Sequence, residues 1–100
     1  MNPAIPTVGA EELAHEVRAI MPEAVIEIAP INPEYGSWEL RVTRGTLDIE
    51  YVWGPQSGFG GRDMARPTTP DDTPFDYADE FFHSLDEALE YLRRLARKYA

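Results

Sequence analysis

Two runs of strict alternation, separated by two residues, constrain this chain more than any other feature. Residues 37–43 place Trp38, Leu40 and Val42 on one side and Glu39, Arg41 and Thr43 on the other. Residues 46–53 set Leu47, Ile49, Tyr51 and Trp53 against Asp48, Glu50 and Val52. Successive side chains of a strand point to opposite faces, so each run reads as a strand with one apolar face. Arg44-Gly45 between them predicts a two-residue hairpin loop that pairs Thr43 with Thr46. In that register Val42 faces Leu47, Leu40 faces Ile49 and Trp38 faces Tyr51, so the apolar pairs share a face. Arg41 then lies across from Asp48 and diagonal to Glu50.

An apolar sheet face needs cover, and two amphipathic helices supply it. The first is predicted over residues 10–21, where Leu13, Val17, Ile20 and Met21 make one stripe; Thr7 or Gly9 caps its start and Pro22 stops it. The second opens at Ser84-Leu85-Asp86-Glu87, a capping box. Its stripe is Leu85, Ala88, Leu89, Leu92, Leu95, Ala96 and Tyr99. Acidic residues stand near its start and Arg93, Arg94, Arg97 and Lys98 near its end, as the helix dipole favours. Residues 24–30 predict a strand with Ile26 and Ile28 facing inward, followed by turn chemistry at Asn32-Pro33-Glu34-Tyr35-Gly36. A short further strand is expected around residues 79–82.

These parts predict an α+β two-layer sandwich. An antiparallel sheet of three to four strands, in the order α-β-β-β-(β)-α, carries two helices on one face. The other face, with Glu27, Glu39, Arg41, Thr43, Asp48, Glu50 and Val52, is expected to be polar and open. Residues 1–9, with Pro3, Pro6 and Gly9, read as a flexible arm, and residues 10–100 as a single domain.

Residues 54–76 have no period and hold four glycines and four prolines, so they read as one long loop, functional or mobile. Within it, the glycines of residues 54–63 could converge backbone N–H groups on an anion beside Arg62. The spacing matches neither G-x-G-x-x-G nor G-x-x-x-x-G-K-[ST], and the plainer reading is tight bends beside Trp53 and Phe59. From Asp71 to Glu90 there are eight carboxylates and no lysine or arginine. The spacing of a calcium loop is missing, so no metal site is expected. The block suits a basic protein surface, against the plainer reading of a solvated charge run. His15 and His83 stand in no metal or nucleophile motif, and no catalytic residue or cofactor is expected.

Eighteen acidic residues against nine basic ones, a formal charge of −9, argue against nucleic acid or an anionic membrane as partner. With no cysteine in the chain, disulfides, thiolate catalysis and cysteine–zinc sites are excluded. No run approaches the roughly 20 apolar residues of a membrane span, and residues 1–7 do not read as a secretory leader, so the cytoplasm is the expected compartment.

The stretch from Phe82 to Leu92 resembles a strand-to-helix ending common in small bacterial α+β domains. In size, charge and layout the chain is similar to small acidic inhibitor, antitoxin and immunity proteins, a likeness that implies protein binding. The expected contact residues are Phe59, Arg62, Asp63, Asp71, Asp72, Phe75, Asp76, Tyr77 and Asp79, where aromatics sit among acid as in an interface centre with a polar rim. The alternative is a small enzyme or anion-binding protein using residues 54–63. A third expectation is a homodimer, joined through the open sheet face or a sheet edge.

Overall fold

The computed structural model of the chain describes residues 6–32, 34–65 and 79–99. Two helices and one five-stranded antiparallel sheet follow the order α1 (Ala10–Ile20), β1 (Val25–Asn32), β2 (Ser37–Arg44), β3 (Leu47–Gly54), β4 (Gly58–Asp63), β5 (Glu80–Phe81) and α2 (Leu85–Lys98). The strands lie side by side in chain order, a meander, so every sheet pairing joins sequence neighbours. The two-layer α+β plan expected from the sequence is the plan observed. No helix among the described residues is long and apolar enough to cross a membrane.

α1 buries Leu13, Ala14 and Val17, keeps Glu11 and Glu12 in its first turn and has Arg18 in its last. Gly9 is its N-cap, without a side-chain hydrogen bond, and the helix ends two residues before Pro22. α2 starts with the predicted capping box: the Glu87 N–H donates to Ser84 Oγ at 3.2 Å. The Glu87 carboxylate reaches back one residue past the cap, accepting the His83 N–H at 3.1 Å, so the cap satisfies one orphan donor of the helix and ties the preceding residue to it. α1 packs on β2 and on α2, while α2 packs on β3 and β4.

The hairpin forms, with its register displaced by two from the expected one. Arg44 pairs with Leu47, Val42 with Ile49, Leu40 with Tyr51 and Trp38 with Trp53. The loop is therefore Gly45-Thr46, and Gly45 holds a φ of +58°. A positive φ at the first of two loop positions favours glycine there and explains why the loop begins at Gly45 rather than at Arg44. Arg41 now lies across from Glu50 and diagonal to Asp48. It still donates to both Asp48 oxygens, at 2.9 and 2.6 Å.

Three further expectations are corrected. Residues 58–63, read as part of one long loop, form β4, paired with β3 from Ile49↔Asp63 to Gly54↔Gly58. The sheet thus has five strands, one above the upper end of the three to four expected. Residues 6–9 of the expected arm are tied to the body: Val8 is buried, the Trp38 indole N–H donates to the Val8 carbonyl at 3.1 Å, and that of Trp53 to the Pro6 carbonyl at 2.7 Å. Ile28, expected to face the core, sits on the outermost strand and is exposed, as are Val25 and Ile31.

The core lies between the helices and the inner sheet face. Leu13, Val17 and Met21 of the α1 side meet Leu40, Val42, Leu47 and Ile49. At the other end, Trp38, Tyr51, Phe59, Phe82 and Tyr91 form an aromatic cluster with centroid spacings of 5.2–6.4 Å. Ring pairs at such distances in tilted or T-shaped order add about 0.5–1.5 kcal/mol beyond their area. The Tyr51 hydroxyl is inside, donating to the Ala88 carbonyl at 2.8 Å. The outer sheet face keeps its expected polar residues unburied.

Candidate functional site

β4 explains where the chemistry-bearing residues go. Consecutive strand residues point to opposite faces, so Phe59, Gly61 and Asp63 face the helices while Arg62 joins the outer face. Arg62 pairs across the ladder with Glu50. Burial, then the nearby Glu39 charge, raises the Glu50 carboxyl above its ordinary range, and Arg62 and Arg41 oppose that rise. Arg62 and Asp63 are therefore on opposite sides of the sheet, not in one site.

Phe59 does not contribute to a contact surface: its ring is 1% exposed and packs against Trp38, Tyr51 and Phe82. Asp71, Asp72, Phe75, Asp76 and Tyr77 lie outside the described residues. Asp79 is exposed at the sheet edge, where its Oδ2 accepts the Asp63 N–H at 2.9 Å. The glycines of residues 58–63 have their backbone in the ladder, so they serve pairing and close packing rather than a nest of N–H groups around an anion. His15 and His83 are both exposed, and His83 stands beside Glu87 at the start of α2.

Asp63 is the one buried charged residue in the described core, at 7% exposed. Its Oδ2 accepts the Tyr99 hydroxyl at 2.6 Å and the Lys98 ammonium at 3.3 Å, and its Oδ1 accepts the Ala65 N–H at 3.1 Å. Burial alone would raise its pKa, but these hydrogen bonds win and hold it below the ordinary aspartate value. The sign follows. A carboxylate with a depressed folded pKa contributes its stability above its unfolded pKa, about 3.9, and loses it as pH falls through the folded value. Asp63→Asn is expected to cost about 1–3 kcal/mol at pH 7. That deficit should shrink as pH drops below about 4, where Asp63 of the unfolded chain takes up a proton while the folded carboxylate still resists one. Urea unfolding of both proteins at pH 7 and pH 3 checks this; a pH-independent deficit contradicts it.

Around Asp63, the ends of β4 and β5 meet α2 in two adjoining concavities. A groove of about 360 Å³ is lined by Glu80, Phe81, Phe82, Asp86, Glu87, Glu90 and Arg94. A shallow cleft of about 400 Å³ is lined by Asp63, Asp79, Glu80, Tyr91, Arg94, Leu95 and Lys98. The Glu80–Arg94 ion pair is common to both and forms the ridge between them. In the groove, Phe81 is 57% exposed among four carboxylates. An exposed phenylalanine ringed by charge is an apolar centre with a polar rim, the anatomy of a protein contact. Among the described residues, no group of three or more side chains is arranged to hold a metal ion.

Of the residues that line these concavities, the expected set held Asp63 and Asp79 and missed the others, among them Glu80, Phe81, Asp86, Glu87, Glu90, Tyr91, Arg94 and Lys98. Tyr91 carried a legible sign: Ala88, Tyr91 and Leu95 are spaced by three and four, so Tyr91 widens the apolar stripe of α2. No protein-family model, curated protein or solved structure matches this chain.

Proposed function

We propose that this chain is a small protein-binding module of the inhibitor, antitoxin or immunity kind, acting in the cytoplasm on a partner with a basic surface. The contact is the acidic groove between β5 and the first turns of α2, with Phe81 at its centre. One observation carries the reading: a large aromatic side chain left in solvent within a groove that holds Glu80, Asp86, Glu87 and Glu90. Acid around such a centre speeds encounter with a basic surface and selects against acidic competitors. β5 is also the last strand of the sheet, so the groove lies along a sheet edge.

The test begins with capture of a partner by the full chain from its source cells, followed by affinity measurement with the purified partner. Phe81→Ala is expected to weaken binding by about 2 kcal/mol, near thirtyfold, as for an aromatic hot spot. Glu87→Lys with Glu90→Lys should slow association and flatten its salt dependence. Reversal of Asp71, Asp72 and Asp76 tests the rest of the acidic run. A partner that binds the Phe81 and glutamate variants as tightly as wild type does not use this groove.

A further inference from the structure

The cleft on the far side of the Glu80–Arg94 ridge holds an anomaly. Tyr91 is 5% exposed, and its hydroxyl is buried with no hydrogen-bond partner among the described residues. Folded proteins pair the great majority of buried polar groups, and an orphan costs the full desolvation of that group. Tyr51, its neighbour in the aromatic cluster, follows the rule through the Ala88 carbonyl. The fold holds the Tyr91 ring firmly, against Phe82 at 5.3 Å and over Gly61. Its hydroxyl therefore has a fixed place, beneath the surface of the cleft that Tyr91 lines and covered in the free protein. Burial first, and then the charges of Asp79, Asp63 and Glu80, push its pKa up, so it stays a neutral phenol with lone pairs to offer.

The surroundings decide what such a hydroxyl can meet. Three carboxylates (Asp63, Asp79, Glu80) line the cleft against two cations (Arg94, Lys98). A phosphate or carboxylate ligand would enter against this excess of like charge. No metal-ligating group of three is gathered among the described residues. An organic cation suits both the charge and the orphan oxygen. A guanidinium suits them better than an ammonium: it is planar, weakly hydrated, and spreads five N–H donors over several acceptors at once. Arg94 already sits in this manner, 5.5 Å from the Tyr91 ring centre and paired with Glu80.

We infer that the Tyr91 cleft is an arginine-recognition site, in which the partner's arginine side chain lies among Asp63, Asp79 and Glu80 and, as it seats, uncovers the Tyr91 hydroxyl as its innermost contact. This rests on the binding reading above and names the partner residue that reading requires. Phe81 then covers an apolar spot of the partner on one side of the ridge while the arginine enters on the other.

Ethylguanidinium is the probe, titrated into the full chain and followed by amide and tyrosine ring NMR shifts, with butylammonium at matched ionic strength as the comparison. The expected result is a saturable response confined to the cleft, weaker for butylammonium. Tyr91→Phe should weaken the probe about tenfold, the worth of one hydrogen bond to a charged group. The same variant should keep or raise the melting temperature, because it removes an unpaired buried hydroxyl. Diffuse or unsaturable shifts, equal binding of the two cations, or undiminished binding by Tyr91→Phe overturn the inference. So does a marked loss of melting temperature in Tyr91→Phe, which would assign the hydroxyl to the fold. Phe81→Ala separates the two proposals. If it releases the partner while the probe fails to bind wild type, this inference falls alone. If the probe saturates while partner affinity ignores Phe81, the groove reading falls and the cleft stands.

Discussion

Phe59→Ala is expected to destabilise the domain by about 3–5 kcal/mol, the range for deleting a buried phenylalanine ring. The ring is enclosed by Trp38, Tyr51 and Phe82, none of which has a flexible chain able to collapse into the space. A loss of this size is a large share of the roughly 5–15 kcal/mol that holds an ordinary domain together. Urea unfolding should show an earlier midpoint with an unchanged slope. The measurement also bears on function. A ring that served only a partner would leave the free protein's stability near wild type, so a change below about 0.5 kcal/mol would contradict the core placement.

Gly61→Ala should cost about 2–3 kcal/mol, although alanine suits a strand better than glycine does. A Cβ on Gly61 would stand 2.8 Å from Phe82 Cζ and 2.9 Å from Tyr91 Cε1. Both are rings held in the aromatic cluster, so relief requires the cluster and α2 to shift together. The smaller unfolded-state entropy of alanine returns only about 0.4–1 kcal/mol. A double-mutant cycle with Phe82→Leu isolates the clash: if the rings are the obstacle, the pair costs less than the sum of the singles. Additive costs would place the obstacle elsewhere.

The glycine that makes this prediction also explains why β4 was not legible. Gly58-Phe59-Gly60-Gly61-Arg62-Asp63 has neither the β-branched residues nor the alternation by which a strand is read. Its pairing is imposed from outside, by β3 on one side and by the need to let Phe82 and Tyr91 lie against bare backbone. Glycine within a strand often marks such a close approach, but the approaching rings come from far along the chain, Phe82 just before α2 and Tyr91 within it. The hairpin shows the opposite limit. Its alternation set which residues face the core, yet a displacement by two leaves every side chain on the same face. The pattern is therefore blind to that displacement, and the positive φ of Gly45 decides it.

The site divides in the same way. The acidic character of residues 79–90 and the cap at Ser84 are local and could be read directly. Which of the adjacent Phe81 and Phe82 is exposed depends on how β5 lies against β4: Phe82 goes into the core and Phe81 out. Asp63 looked like a surface acid beside glycines; Lys98 and Tyr99, at the far end of the chain, turn it into a buried anchor for α2.

The two indole hydrogen bonds to residues 6 and 8 give the molecule its own optical gauge. Trp38 and Trp53, the two tryptophans of the chain, both donate to carbonyls of that short segment. Peeling the segment away, with the meander still paired and α2 still seated, would strip both indole N–H groups of their acceptors. Emission colour therefore follows the seating of residues 6–8, and the ellipticity of the packed rings follows the core. The two transitions can be watched in one unlabelled sample, which tells a loosened edge from a lost fold.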